Sequence, residues 1–108
     1  MIRKTLTILM AVLALTIFLI PCAFAHTPLC SCSDEGDGTI LCEGGFSDGS
    51  SAAGVEMRVL DSTGKVLIKG KMNEDSEFTF TKPEGEYTVI FDAGPGHEVK
   101  VPSSEITE

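Results

Sequence analysis

Polar and apolar side chains alternate with a period of two after the first 25 residues, and this pattern predicts short β-strands. Val55, Met57 and Val59 alternate with charged side chains, and Phe78 and Phe80 alternate with threonine. Clusters of glycine, proline, aspartate and serine separate these segments at regular intervals, where turns are expected. Helical periodicity is absent from this part of the sequence. The pattern therefore predicts an all-β domain of about seven short strands that pack as a β-sandwich.

The first two predicted strands form a hairpin around the acidic turn Asp34-Glu-Gly-Asp-Gly38, and five more strands follow. The predicted strands are, in order, 29–33, 39–46, 55–60, 66–68, 78–81, 87–91 and 98–101. Their apolar side chains are expected to form the core, namely Val55, Val59, Leu67, Phe78, Phe80, Tyr87, Ile90, Phe91 and Val99. Residues 103–108 are polar and are predicted to be a frayed tail.

The N-terminal segment has the layout of a secretory signal peptide. Two basic residues precede the apolar run from Thr5 to Ile20, which Pro21 ends. Ala23-Phe-Ala25 then supplies small residues at the −3 and −1 positions of a cleavage site, directly before His26. The segment is also about long enough for an uncleaved single-span anchor. Cleavage remains the preferred prediction because Pro21 breaks the helix just before the small residues.

The sequence thus predicts three parts: a helical signal peptide or uncleaved anchor at residues 1–25, a β-sandwich at 26–102 and a flexible tail at 103–108. Secretion would place the domain outside the cytoplasm, in the periplasm or at the cell surface. An uncleaved N-terminal segment would instead tie the same domain to the membrane.

The mature chain is strongly acidic. The whole sequence has 8 basic and 16 acidic residues, and removal of residues 1–25 takes away Arg3 and Lys4 but no acid. The net charge therefore falls from −8 to −10, the difference between 6 basic and 16 acidic residues. Such a surface repels a phosphate backbone and argues against nucleic-acid binding. It is compatible with attraction of cations, and also with an acidity that only keeps a secreted domain soluble.

Three of the four cysteines remain after cleavage, namely Cys30, Cys32 and Cys42. An odd number in an oxidising compartment implies one disulfide with a free thiol, an intermolecular bridge or metal ligation. Side chains alternate along a strand, so Cys30 and Cys32 share one face. If either of them lies directly opposite Cys42 in the hairpin, all three sulfur atoms occupy the same face. A cross-strand disulfide, a metal site and buried free thiols are all compatible with the sequence.

The two histidines are the other candidate metal ligands. His26 becomes the first residue after cleavage, and its α-amine and imidazole together can chelate an ion. Pro28 has no backbone N–H, so consecutive backbone amides cannot complete the coordination. His97 follows the rigid Gly-Pro-Gly turn, and the nearby Asp92 is a candidate acceptor for its ring. Each histidine taken alone is equally compatible with an ordinary exposed position.

Two sets of motifs resemble known families. The segment Phe78-Thr-Phe…Lys82-Pro-Glu-Gly-Glu-Tyr-Thr-Val89 resembles the end of a carboxypeptidase regulatory-like module, which is a transthyretin-like (prealbumin-like) seven-stranded sandwich. The stretches Glu43-Gly-Gly-Phe-Ser-Asp-Gly49 and Val55…Gly64-Lys65 resemble the small extracytoplasmic accessory component of nickel and cobalt energy-coupling-factor transporters. Phe91-Asp-Ala-Gly-Pro-Gly-His97 is the most specific part of that resemblance, which covers essentially all of the mature chain.

The second resemblance implies a metal-binding accessory protein for nickel or cobalt uptake, whose partner is a membrane-embedded metal importer. It implies His26 and His97 as ligands, because the family commonly has histidines at these two positions. Pro95 replaces the usual methionine, and Cys30, Cys32 and Cys42 replace apolar and aromatic residues. Thiolates favour softer ions than nickel, which adds copper to the candidate metals.

Three functions therefore follow as expectations from the sequence. The first is nickel or cobalt binding beside an importer. The second is an interaction module of the cell envelope that binds no metal. The third is thiol-based handling of copper(I) by the three cysteines, an interpretation that fails if two of them are locked in a disulfide. An enzyme is not expected, because two histidines and three thiols offer few general bases and the sequence positions no nucleophile–base pair.

Overall fold

The computed structural model describes residues 26–108, so the predicted signal peptide at 1–25 lies outside the described residues. The described part contains seven strands and a 3₁₀ turn. They are β1 (Pro28–Asp34), β2 (Thr39–Phe46), β3 (Glu56–Asp61), β4 (Val66–Lys71), β5 (Glu77–Thr81), β6 (Tyr87–Asp92), β7 (Glu98–Pro102) and the 3₁₀ turn Ser103–Glu105. The seven predicted strands are confirmed, with β4 three residues longer than expected.

The seven strands form two antiparallel sheets, ordered β1-β2-β5 and β4-β3-β6-β7. Strand β1 packs across from β7, and β5 packs across from β4, so the two sheets face each other. The prediction of an all-β protein is confirmed, and two facing antiparallel sheets are the arrangement of a sandwich. Among the described residues, no helix combines the length and the apolar character that a membrane span needs.

The core lies between the sheets and is formed by the inward positions of the central strands. Ring contacts join the two sheets: Phe46 lies 6.0 Å from Phe91, and Phe80 lies 6.0 Å from Tyr87, measured between ring centroids. The fully buried side chains with the largest volumes are Phe91, Ile40, Met57, Val59, Val89 and Cys42. Burial of this apolar surface is the main term that stabilises the fold.

One residue expected in the core, Leu67, lies on the outer face of its strand. Leu67 is 44% exposed, because Ile68 pairs with Val59 and takes the inward position of β4, which turns Leu67 to the outer face. Ile90 is 3% exposed and is buried as expected, although its neighbours Val89 and Phe91 are the residues of β6 that belong to the core cluster. A period of two fixes that neighbouring residues differ in face, but it does not say which of them points inward.

The C-terminal residues are not frayed as predicted. Ile106 is 9% exposed and belongs to the core cluster, and the carbonyl of Thr107 accepts a hydrogen bond of 3.0 Å from the backbone N–H of Asp34. One apolar residue in a polar segment is therefore enough to seat the end of the chain. The segment closes the end of the sandwich at which β1 and β7 finish.

Five aspartates hold the turns, and we call them the turn aspartates. Each accepts a hydrogen bond from the backbone N–H of the residue two positions later, which is the geometry of an Asx turn. They are Asp34, Asp37, Asp48, Asp61 and Asp92. Hydrogen bonds to these carboxylates favour the charged form, and the pKa of each is lowered. The acidity of the chain is thus partly structural.

Candidate functional site

The three cysteines lie together on the inner face of the first sheet. Antiparallel pairing of β1 with β2 places Cys32 directly opposite Cys42, and Cys30 opposite Gly44. The acidic turn sets this register, because the N–H of Glu35 donates to the carbonyl of Thr39 at its base. The sulfur atoms of the three cysteines all lie within 4.8 Å of one another. The predicted shared face of these side chains is confirmed.

Cys32 and Cys42 form a disulfide, with their Cα atoms 4.0 Å apart. The odd number of cysteines therefore corresponds to one disulfide and one free thiol, Cys30. In this oxidised state, neither Cys32 nor Cys42 offers a thiolate to a metal, so the expectation of copper(I) held by three thiols fails for the oxidised protein. Of the five candidate ligands, His26, His97 and Cys30 remain. The disulfide is also consistent with an oxidising, extracytoplasmic compartment.

The remaining thiol is half-buried. Burial disfavours the charged thiolate and raises the pKa of Cys30 from 9.0 to about 11. At neutral pH the group is therefore an uncharged thiol and a poor nucleophile. Nucleophilic chemistry by this cysteine has no support from its surroundings.

Close packing disfavours any side chain at Gly44, the residue opposite Cys30. A Cβ built on Gly44 would lie 2.6 Å from the Phe91 ring and 2.7 Å from the Sδ of Met72. The side chains of the second sheet thus fill the space that a larger residue at position 44 would occupy. The thioether of Met72 belongs to this close packing beside the cysteines, and no local pattern in the sequence points to it.

His26 lies at the end of the sandwich where β1 begins. The N–H of Ser47 donates to the carbonyl of Thr27, which extends the pairing of β1 with β2 beyond the strands. The imidazole Nδ1 of His26 lies 2.8 Å from Oδ2 of Asp48, while the side chain is 66% exposed. Sequence reasoning missed Asp48, although the hairpin register would have placed it next to His26.

His97 is held by the turn between β6 and β7. The N–H of His97 donates to the carbonyl of Gly94 at 2.9 Å, and Pro95 and Gly96 occupy the two central positions. Proline followed by a residue of positive φ, here 77° at Gly96, is the combination of a type II turn. The ring Nδ1 of His97 lies 3.1 Å from the carbonyl oxygen of Pro95, and the residue is exposed.

Asp92 does not orient the ring of His97 as we expected. Its Oδ2 accepts a hydrogen bond of 2.9 Å from Arg58, and its Oδ1 accepts one of 3.0 Å from the N–H of Gly94. The Arg58 guanidinium lowers the pKa of Asp92. Arg58 also lies 3.6 Å from Glu56 and 3.8 Å from Glu98. Lys69 lies 3.2 Å from Glu56, so three acids and two bases leave one net negative charge near His97.

The topology brings both histidines to the same end of the molecule. His26 precedes β1 and His97 precedes β7, and these are the strands that pack across from each other. The Phe46–Phe91 contact joins the end of β2 to the end of β6, so the start of β1 and the start of β7 lie at that same end. The two imidazoles therefore extend from the beginnings of two facing edge strands.

The histidines and the cysteines are separate features. Within the part of the chain that the structure describes, the group of three or more close metal-ligating side chains consists of the three cysteines and contains no histidine. Cys30 lies four residues beyond His26. Because a strand advances by about 3.3 Å per residue, this spacing separates the histidine from the cysteines along the sheet. All five are candidate ligands by sequence, but the fold places the two exposed histidines at one end of the sandwich and the cysteines along β1 and β2, where Cys42 is buried and Cys30 and Cys32 are half-buried.

Comparison with protein-family models, curated proteins and solved structures finds no match. The class of protein is thus defined by the fold itself: an all-β chain of two facing antiparallel sheets, cross-linked within its first hairpin. At one end it carries two exposed histidines, and along β1 and β2 it carries three clustered cysteines.

Proposed function

We propose that this protein is an extracytoplasmic accessory protein for nickel or cobalt uptake, which holds the ion between His26 and His97 on a transthyretin-like β-sandwich. The secretory pathway would deliver it, and a membrane-embedded importer would be its partner. The observation that carries the proposal is the matching environment of the two imidazoles at one end of the sandwich.

Each ring has its Nδ1 beside an oxygen acceptor and is otherwise exposed. A carboxylate of Asp48 serves His26, and the backbone carbonyl of Pro95 serves His97. Histidine ligands of metals usually donate one ring N–H to a carboxylate or a backbone carbonyl, which fixes the ring and directs the other nitrogen to the ion. Both histidines have this arrangement, so Nε2 of each is the nitrogen that would bind.

Nickel and cobalt ions suit this donor set. Imidazole nitrogen binds both ions, and an open site at a protein surface leaves positions for water or for a chelating group carried with the ion. The acidic groups near this end, Asp48 and the three acids around Arg58, favour the approach of a cation.

Cleavage after Ala25 would add a second way of binding. The freed amine and the Nδ1 of His26 could close a chelate ring on one ion, but Nδ1 would first have to leave Asp48. The two modes respond differently to Asp48→Ala. This variant should weaken binding through Nε2, because the ring loses its orienting acceptor, and should not weaken the chelate.

Calorimetric titration with nickel tests the proposal, using secreted protein produced from the full chain. We expect binding of one ion per chain, and a loss of affinity of at least about tenfold in either His26→Gln or His97→Gln. Glu84→Gln is the control, since it removes an exposed acid from the turn at the opposite end. Equal heats for wild type and the double histidine variant would refute the proposal and favour the interaction module that binds no metal.

A further inference from the structure

We propose that Cys30, Cys32 and Cys42 form a second, redox-gated metal site, which binds copper(I) only after the Cys32–Cys42 disulfide has been reduced. The site differs from the histidine pair in place, in donor atoms and in the ion it selects. The oxidised protein retains one free thiol out of three, so the site would bind copper(I) only in the reduced protein and not permanently.

The positions of the sulfur atoms support three-coordinate binding. Three thiolates that share one ion at about 2.3 Å lie about 4 Å from one another. The three sulfur atoms here already lie within 4.8 Å of one another, on the same face of a two-stranded hairpin. Reduction frees the two bonded sulfur atoms without moving the strands, since cross-strand pairing of β1 with β2 holds their Cα atoms in place.

The surroundings favour a soft ion. Cys42 is fully buried, and Cys30 and Cys32 pack against the core. Directly across from Cys30, the missing side chain of Gly44 gives room to the thioether of Met72. Thiolates and thioethers are soft donors that favour copper(I) over nickel, and zinc, which also binds thiolates, takes four protein ligands in structural sites where this cluster has three cysteines.

The redox step balances with a dithiol as the reductant. The dithiol gives two electrons and two protons to the Cys32–Cys42 disulfide, which becomes two thiols, while the dithiol itself becomes a disulfide. Copper(I) then displaces the protons of the three thiols as three copper–sulfur bonds form. The reverse exchange, in which the disulfide form of the dithiol takes two electrons and two protons from Cys32 and Cys42, restores their disulfide in the metal-free site and closes it.

Competition against a coloured copper(I) chelator, bicinchoninate, tests the proposal under anaerobic conditions. Secreted protein from the full chain is reduced with a phosphine, freed of the phosphine and titrated beside the oxidised protein. We expect one copper(I) per reduced chain and no competition from the oxidised chain. Cys30→Ser keeps the disulfide-forming pair but removes one ligand, so its reduced form should bind at least about tenfold more weakly.

Ser31→Ala is the matched control, because Ser31 lies on the same strand but is exposed on the outer face. It should bind copper(I) like the wild type. Equal affinity of reduced wild type and reduced Cys30→Ser, or equal binding by the oxidised protein, would overturn the proposal. Loss of the β-sheet circular dichroism on reduction, with no recovery on addition of copper(I), would overturn it as well. Nickel binding at the histidines is untouched by any of these outcomes.

Discussion

Reduction of the Cys32–Cys42 disulfide should destabilise the protein measurably without unfolding it. The disulfide joins residues 10 apart in the sequence, and constraint of a loop of that length in the unfolded chain stabilises the folded state by about 2.7 kcal/mol. The 83 described residues should have a free energy of unfolding of about 4–12 kcal/mol. The cross-link therefore supplies a large fraction of the stability, and the core should retain the rest.

Urea unfolding, followed by circular dichroism, measures this difference. With an m-value of about 1.3 kcal/mol per molar urea, loss of the cross-link should lower the midpoint by about 2 M. The reduced unfolded chain is more expanded than the cross-linked one and has a larger m-value, so each unfolding curve is fitted with its own m-value. The experiment is repeated in Cys30→Ser, in which the third thiol cannot exchange with the disulfide during unfolding.

Two results would refute this reasoning. A decrease in the free energy of unfolding below about 1 kcal/mol on reduction, in both the wild type and Cys30→Ser, would mean that closure of this loop does not restrict the unfolded chain. The absence of a cooperative transition after reduction would mean that the sheets cannot hold together without the cross-link. The second result would also remove the folded, reduced state on which copper(I) binding depends.

Gly44→Ala should lower the free energy of unfolding in urea by about 1–3 kcal/mol, because its Cβ would lie 2.6 Å from the buried Phe91 ring. Gly45→Ala, whose nearest contact is at 4.0 Å, should lower it little, and equal losses in the two variants would contradict close packing at position 44. Cys30 should react with iodoacetamide roughly 100-fold more slowly in the folded protein than in urea, because burial raises its pKa from 9.0 to about 11. Mass spectrometry measures both alkylation rates, and equal rates would contradict this burial. The turn aspartates have lowered pKa values in the folded protein. The stability that they contribute is therefore present above about pH 4 and is lost as the pH falls through their folded pKa values. An unchanged urea midpoint between about pH 5 and pH 2 would show that their hydrogen bonds do not favour folding.

Strand positions were predictable because they depend on local chemistry. Alternation of side chains along each strand, and glycine, proline and aspartate between strands, are properties of neighbouring residues. The type II turn before His97 is a local property of the same kind, since Pro95 and Gly96 have the required φ preferences. The shared face of Cys30 and Cys32 also follows from alternation alone.

Features that depend on contacts between distant segments were not predictable in this way. The register that pairs Cys42 with Cys32 instead of Cys30 depends on the acidic turn and on packing of the opposite sheet against Gly44. The choice of Ile68 over Leu67 for the core depends on which residue faces Val59.

The sequence by itself determined an all-β chain, its seven strands and the candidate metal ligands, because each of these follows from residue type and spacing. Only the tertiary structure decided how those residues are grouped. Because β1 and β7 face each other, His26 and His97 lie at the same end of the sandwich. Because β1 pairs with β2, the Cys32–Cys42 disulfide forms beside Cys30. The physical reason is that grouping depends on sheet order and register, which are fixed by burial of the whole core and not by any single segment.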